Sequence, residues 1–223
     1  DRSGAYLALR LALPLAADAA EQDAEVRRMV ERRFAQVGLP LAVDRTVQGD
    51  ASYLDGDGIR HRVVALSLDD AEDRVELVAG DRAGPGDVLV HADALDRLGL
   101  AVGDVIVLEG ETVTVSGTWR AVDRGDPRWL GDPLIDSGGE GAALGPMLVP
   151  TDAWARWTQP RPLARWTLVP DVSDAHPDDL AGFTRDWRTV HRAWDGAEDG
   201  LDDLTKSGRL LVSIADVERT VAA

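Results

Sequence analysis

The stretch from Gly80 to Gly117 constrains the fold more than any other part of the 223-residue chain, because turn residues divide it at short intervals. Residues 84–86, Gly-Pro-Gly, predict a turn, since proline fixes φ and glycine permits a positive φ. Residues 87–90 follow as a short predicted strand. Residues 92–98 then predict a two-turn helix, which Gly99 ends at a left-handed position.

The second half of this stretch predicts a β-hairpin. Residues 102–104, Val-Gly-Asp, turn the chain into a strand at 105–108, and Gly110-Glu111 turns it back. Residues 112–116 return as a strand in which valine and threonine alternate, as expected of a strand with two different faces. The segment therefore predicts a mostly β structure around one short helix.

In order and spacing, these pieces resemble the extracytoplasmic core domain of FtsX-like ABC transporter permeases, the MacB-like periplasmic core domain. The family pattern runs from Gly-Arg and a Pro/Gly turn through a strand, a small helix ending in Leu-Gly-Leu, then Val-Gly-Asp, and two strands ending in Val-Thr-Gly. The residues that carry it here are Gly80, Arg82, 84–90, 98–100, 102–104 and 113–117. Asp81 departs from the pattern by standing between the glycine and the arginine. A second interpretation stays open, because Leu-Gly-Leu followed by Val-Gly-Asp also occurs in small β-barrel domains.

The resemblance implies a non-catalytic extracellular domain of a permease, lying at the extracytoplasmic face of the cell membrane. Such a domain couples the ATP-driven motion of membrane helices to substrate export or to a partner protein. The implied partners are the transmembrane helices of the same permease and, indirectly, a cytoplasmic ABC ATPase. A second permease copy and an extracellular partner protein are further candidates, and the resemblance implies no cofactor.

The two ends of the chain repeat one pattern around this β-rich middle. Residues 7–14 predict a strand ending in proline, followed by a helix whose start is marked by Asp18 and Glu21 at capping-box spacing. Residues 163–170 repeat the strand and the proline, and a second helix is predicted from His176 to Gly196. Chance recurrence in a chain rich in alanine and leucine is the alternative explanation of this repeat.

The repeat, together with the resemblance, predicts an α+β fold. Residues 1–49 and 159–200 are expected to form a porter-like β-α-β subdomain built from both chain ends. Residues 50–158 are expected to form a mostly β subdomain inserted between them. Residues 201–223 predict a C-terminal helix, which the resemblance would continue toward a membrane helix of the parent protein.

Charge and composition exclude several classes of function. The formal net charge of −16 argues against nucleic acid as a partner, because proteins bind the negatively charged phosphate backbone through lysine and arginine. The chain has no cysteine, which excludes thiolate catalysis and cysteine-based zinc sites. No run approaches the roughly 18–20 apolar residues of a membrane-spanning helix.

Two short motifs fail as metal sites. Residues 55–58, Asp-Gly-Asp-Gly, begin like a calcium-binding loop, but Ile59 and Leu66 stand where ligands are required, so a hairpin turn is predicted instead. The four histidines, His61, His91, His176 and His191, do not have the spacing of zinc ligands. No catalytic, cofactor-binding or metal-binding residues are therefore predicted.

One alternative function rests on the irregular region after residue 119. Asp126, Asp132 and Asp136 stand in a loop rich in glycine and proline, and paired carboxylates are the groups that hydrolyse glycosides. A secreted hydrolase that uses this Asp126–Asp136 loop is the alternative to the transporter domain. The glycine-rich residues 137–145 lack the Gly-Lys-Ser/Thr of a phosphate loop and predict a mobile surface loop.

The same irregular region offers candidates for a contact with a partner or substrate. Trp119, Trp129 and Leu130 are large apolar residues outside the predicted core-facing patterns. Filling of the core is the alternative explanation for the two tryptophans.

Overall fold

A computed structural model describes residues 8–35, 40–157, 162–171 and 213–214. This part of the chain is a mixed α/β structure with few helices. Its strands are β1 (Leu9–Pro14), β2 (Leu41–Leu54), β3 (Arg60–Leu68), β4 (Val75–Gly80), β5 (Asp87–His91), β6 (Val105–Leu108), β7 (Glu111–Ala121), β8 (Gly139–Glu140), β9 (Ala143–Leu144), β10 (Met147–Leu148), β11 (Leu163–Pro170) and β12 (Ser213–Ile214). Its helices are α1 (Ala19–Phe34), α2 (Ala71–Arg74), α3 (Pro133–Ser137) and α4 (Ala153–Arg156), with 3₁₀ turns at Asp96–Leu98 and Pro127–Trp129.

One large mixed sheet contains most of these strands, in the order β12-β1-β11-β2-β3-β10-β5-β7-β4, and β6 pairs with both β2 and β7. The β10 strand runs parallel to β3 and antiparallel to β5, and β5 runs parallel to β7. The strands β8 and β9 form a separate two-stranded hairpin. The prediction that the two repeated strands share one sheet is confirmed, because β1 and β11 are neighbours in it.

The described residues divide into two units. Thr46–Ala164 makes up one, here called the central unit, and the described parts of Ala5–Arg45 and Arg165–Ala223 make up the other, the terminal unit.

In the terminal unit, the N-terminus of α1 is capped as predicted. The side chain of Asp18 accepts a hydrogen bond of 2.8 Å from the backbone N–H of Glu21, which satisfies one of the first-turn donors. Val26, Met29 and Val30 are buried along one face of the helix, as their spacing predicts. The predicted end of this helix at Gly38 lies outside the described residues.

A polar contact ties α1 to β11 within the terminal unit. The indole N–H of Trp166, which is fully buried, donates to Asp23 over 2.8 Å, and Arg27 forms an ion pair with the same carboxylate. Burial acts to raise the pKa of Asp23, but the hydrogen bonds from Arg27 and Trp166 outweigh it and lower the pKa. The aspartate is therefore held ionised beneath the buried indole.

In the central unit, β2 and β3 form the predicted hairpin. Asp55 holds the turn, because its Oδ1 accepts from the backbone N–H groups of Asp57 and Ile59 at 3.0 and 2.9 Å. The other oxygen of this carboxylate contacts Nε2 of His61 at 2.7 Å. The carboxylate that could have begun a calcium loop thus organises a turn.

The segment from Gly80 to Gly117 contains the predicted turns with two differences. The predicted helix over residues 92–98 is wrong in length, because only Asp96–Leu98 is helical and forms a single 3₁₀ turn before Gly99 at φ 68°. The hairpin turn consists of Glu109 and Gly110, at φ 47° and 91°, one residue before the predicted pair. Positive φ at both positions is the geometry of a two-residue type I′ hairpin.

Other expectations differ from the structure where long-range pairing decides the conformation. The strand predicted at residues 112–116 is the longer β7, because β4 and β5 pair with its second half. Residues 137–145, predicted as a mobile loop, contain the β8–β9 hairpin.

The chain terminus also departs from expectation. The predicted C-terminal helix is wrong at Ser213–Ile214, which form β12, because their backbone pairs with Leu9 and Arg10 of β1 instead of closing helical turns. The remainder of residues 201–223, and the helix predicted from His176, lie outside the described residues.

Candidate contact surface of the central unit

The glycines that begin and end the resemblance motif lie against each other at the end of the β4–β7 pair. Gly80 and Gly117 are register partners, and a Cβ atom on Gly117 would lie 2.5 Å from the carbonyl oxygen of Ala79. A Cβ atom on Gly80, at φ 78°, would lie 2.2 Å from the carbonyl oxygen of Ser116. Real Cβ atoms do not approach so closely, so both positions require glycine.

The two motif aspartates close the turns that precede β5 and β6. Asp87 accepts the backbone N–H of Gly84 through its side chain at 2.9 Å and donates its own N–H to the Gly84 carbonyl. Asp104 accepts the N–H of Ala101 in the same way at 2.8 Å, and its carbonyl accepts from Val115. Gly80, Gly117, Asp87 and Asp104 thus have backbone roles in the turns and strand contacts of the motif.

Trp119 and Trp129 are buried, with 0% and 3% of their surfaces exposed, and this corrects the expectation that they present their rings to a partner. The indole of Trp119 donates to the Pro146 carbonyl at 3.3 Å, and both rings belong to the core cluster that includes Leu66, Leu89 and Leu148. Filling of the core, the alternative explanation for the two tryptophans, is therefore the one that the structure supports; β7 continues to Ala121 and carries Trp119 into the core, and the 3₁₀ turn carries Trp129. Leu130 is half-buried at φ 54°, and its contact with a partner stays a prediction.

A buried cation covers the second of these rings. The guanidinium of Arg74, whose residue is 2% exposed, lies 3.9 Å from the centre of the Trp129 ring. Such a cation–π contact compensates part of the cost of burying the charge. The 3₁₀ turn that carries Trp129 is thereby held against the C-terminal end of α2.

The three aspartates of the candidate hydrolase loop each have a separate local partner. Asp126 caps the 3₁₀ turn and forms an ion pair with Arg128, and Asp132 caps α3 by accepting the N–H of Leu134 at 3.0 Å. Asp136 is exposed and lies 3.7 Å from Arg124. The three carboxylates therefore cap local turns or form ion pairs.

The ionisation of Asp126 fits this structural role. Burial acts to raise the pKa of the carboxyl, but the hydrogen bonds from the side chain and backbone of Arg128 outweigh it and lower the pKa. A general acid needs the opposite shift, since it must keep its proton near neutral pH.

His91 is fully buried and joins β5 to α3. Its Nδ1 accepts the N–H of Asp93 at 3.2 Å, and its Nε2 lies 3.1 Å from the carbonyl of Ile135. Because one partner is a donor and the other an acceptor, the ring is neutral and carries its proton on Nε2. Burial lowers the pKa of His91, and the positive charges of Arg124 and Arg120 contribute to the same direction.

An apolar groove of about 300 Å³ opens beside α2. Its buried walls include Leu68, Leu89 and Leu148, and Val75 of β4 contributes to its lining. Glu72 and Arg82, an exposed ion pair with 3.3 Å between the charged atoms, belong to the same lining. A cavity of this size lies at the lower limit of those that bind small ligands or single anchoring side chains.

The neighbouring strand β4 is exposed on both faces. Leu77 and Val78 expose 41% and 46% of their surfaces, although strands with apolar residues in both alternating phases are normally covered. Sequence reasoning missed this surface and the groove. The available signal was the Val-Glu-Leu-Val-Ala-Gly run, which has apolar residues in both phases and no lysine or proline to protect an edge.

Among the described residues, no group of three or more histidine, aspartate or glutamate side chains is arranged to hold a metal ion. No helix in the same ranges is long and apolar enough to cross a bilayer.

The structure is similar over nearly the whole chain to solved extracellular and periplasmic domains of ABC transporter permeases. The extracellular domain of the noncanonic ABC-type transporter YknZ from Gram-positive bacteria matches with 11% identity and a TM-score of 0.46, over 93% of this chain and 100% of that one. The periplasmic region of MacB from Actinobacillus actinomycetemcomitans matches with 8% identity and a TM-score of 0.48, over 97% and 92%.

A domain of a protein from Porphyromonas gingivalis described as a permease matches with 13% identity and a TM-score of 0.39, over 94% of this chain and 90% of that one. No protein-family model matches the sequence. The comparison with curated proteins finds no significant match. Because identities and TM-scores at this level describe a distant likeness, the functional proposal rests on residues of this chain.

Proposed function

We propose that the chain is a non-catalytic extracytoplasmic domain of an FtsX-like ABC transporter permease. The observation that carries the proposal is the ordered motif between Gly80 and Gly117. Its glycines and aspartates have backbone roles in the structure, so the features shared with the family are those that build its fold. The acidic net charge of −16 is consistent with a surface that faces water and binds no nucleic acid.

In the parent protein, the domain couples the ATP-driven motion of membrane helices to export of a substrate or to a partner protein. The ATPase is a separate cytoplasmic subunit, and this domain has no catalytic role. The local uses of Asp126 and Asp132 as caps support that absence of catalysis against the hydrolase alternative. Residues 1–49 and 159–200 form the porter-like subdomain of this proposal, and residues 50–158 form the inserted one.

Protease accessibility tests the location of the domain. Trypsin is added to intact cells, and to cells opened by detergent, that express the full-length parent permease, and an antibody against this chain follows its cleavage. Cleavage within the chain in intact cells is the expected result, because many of its arginines are exposed. Cleavage only after the membrane is opened would contradict the proposal.

Coupling is tested by transport in the same parent protein. Gly117→Ala forces a Cβ atom into backbone contacts at the end of β4, whereas Gly56→Ala introduces one into open space. ATP-driven export should fall in the first variant and persist in the second, while nucleotide binding by the ATPase subunit is unchanged in both. Equal export by the two variants would contradict a coupling role for the central unit.

A further inference from the structure

The outer edge of β4 is open in the described part of the chain. The strand ends the sheet order, and its one described partner is β7. The Arg74 carbonyl accepts from Val122, so in an antiparallel pair residues 74 and 76 direct their backbone groups toward β7. The backbone N–H and C=O of Leu77 therefore point away from the sheet, where another strand can bond them; the β4–β7 register shifts directly after this residue, between Leu77 and Ala79.

One face of β4 connects this open edge with the groove beside α2. Val75 and Leu77 are two residues apart and lie on one face of the strand, and Val75 lines the groove. A strand added beside β4 would place its own side chains on that face next to Leu77. One apolar side chain of such a strand could then enter the space walled by Leu68 and Leu148.

The charges around β4 determine which kind of partner can bind at this edge. The segment from residue 69 to residue 82 contains six exposed acidic residues: Asp69, Asp70, Glu72, Asp73, Glu76 and Asp81. Its two arginines are already engaged, Arg74 on the Trp129 ring and Arg82 with Glu72. A second copy of this chain would bring the same acids to the edge, and two net charges of −16 repel each other.

We propose that β4 and the adjacent groove bind an extended, basic segment of a partner protein by addition of a strand to the edge of the sheet. Main-chain hydrogen bonds to Leu77 supply binding energy, the groove takes one apolar side chain, and alternate basic side chains meet the acidic flank. This goes beyond the proposed transporter role and stands on the central unit alone.

The test uses the full 223-residue chain and a fluorescent peptide that alternates lysine and valine. Fluorescence anisotropy should show saturable binding, and hydrogen exchange should show slower exchange at Leu77 on binding. Replacement of the lysines by glutamate should abolish binding. N-methylation of the peptide amides that face β4 should weaken binding by about tenfold, because it removes ladder hydrogen bonds while the protein is unchanged.

Three variants of the chain test the parts of the surface separately. Leu77→Pro removes the outward N–H without costing the sheet a bond, since proline is tolerated on edge strands, and should weaken binding about tenfold. Ala71→Leu, a change at a half-buried residue of the groove lining, should also weaken binding. Glu76→Gln should reduce affinity, whereas Glu31→Gln, the same change on exposed α1, should not.

Several outcomes overturn the proposal. Absence of peptide binding by the unaltered chain would mean that the edge is protected rather than receptive. If the methylated and unmethylated peptides bind equally, the peptide does not add a strand to β4. If Glu76→Gln and Glu31→Gln have equal effects, the peptide binds by nonspecific charge attraction. Dimerisation of the chain that Leu77→Pro abolishes would assign the edge to a second copy instead.

Discussion

Gly80 and Gly117 approach so closely that a Cβ atom on Gly80 would lie 2.7 Å from the Cα atom of Gly117. The first glycine ends β4 and the second lies opposite it in β7, so the contact fixes how these strands meet. Two glycines of the motif that carries the family resemblance therefore lie where the backbones of β4 and β7 are in direct contact. Residues with a Cβ atom cannot occupy either position without moving a strand.

We expect Gly117→Ala to destabilise the chain by about 1–3 kcal/mol, the range of overpacked sites, because backbone atoms of Ala79 and Asp81 stand within 2.8 Å of the new methyl group. Chemical denaturation followed by circular dichroism measures the change. Gly56→Ala is the matched control, since no atom lies within 4 Å of its Cβ position. Equal stability of the two variants would show that the contact is not tight.

Stability should fall as the pH drops below about 6.5, because His91 is held neutral in the fold. Its pKa is lowered relative to the unfolded chain, so its contribution is fully present above the unfolded value and declines as the pH falls toward the folded value. The midpoint of thermal unfolding between pH 7.5 and 5 measures this.

In His91→Gln the amide can donate to Ile135 but cannot titrate. The variant should be less stable at pH 7.5 and show a smaller loss on acidification than the unaltered chain. A pH dependence equal to that of the unaltered chain would exclude His91 as its source.

Asp126→Asn should destabilise the fold at pH 7 by about 1 kcal/mol, since it removes a charge-assisted contact with Arg128 that is partly screened by solvent. The pKa of Asp126 is lowered, so its stabilising effect exists above the unfolded pKa and disappears as the pH falls through the folded value. Variant and unaltered chain should converge in acid.

Denaturant midpoints at pH 7 and in acid measure the effect of Asp126→Asn, with the exposed Asp57→Asn as control. A constant difference between Asp126→Asn and the unaltered chain at both pH values would rule out an ionised carboxylate as the stabilising group.

The partner contact predicted for Leu130 can be separated from its role in the fold. Leu130 is half-buried at φ 54°, a conformation that glycine adopts without strain. Leu130→Gly should therefore retain nearly full stability and reduce transport by the parent permease if the side chain makes the contact. Transport at the unaltered level would remove Leu130 from the candidate contact residues.

Local turn chemistry was predictable from the sequence, and long-range strand pairing was not. The cap at Asp18 and the turn at Asp55 follow from neighbours a few residues away, and each was predicted. The insertion of β10 between β3 and β5 joins residues far apart in sequence, and no local pattern encodes it.

Which residues of the candidate contact surface are buried or exposed also depends on long-range strand pairing. The alternation of valine and threonine predicts a strand only as far as Ser116, whereas pairing with β4 and β5 continues β7 to Ala121 and buries the ring of Trp119. The exposure of Leu77 depends on β4 ending the sheet order, which is a property of the whole topology.

The most direct test of the proposed extracytoplasmic location is cysteine labelling in intact cells. The chain has no cysteine, so a single one can be introduced without background from this domain. Asp57→Cys places the thiol in the exposed turn after β2, and Ala51→Cys places it at a position 5% exposed, as the matched buried control.

The full-length permease carrying either substitution, with cysteines elsewhere replaced, is treated with a membrane-impermeant maleimide. The account predicts labelling of Asp57→Cys in intact cells and labelling of Ala51→Cys only after denaturation. Labelling of Asp57→Cys only after the membrane is opened would contradict an extracytoplasmic domain.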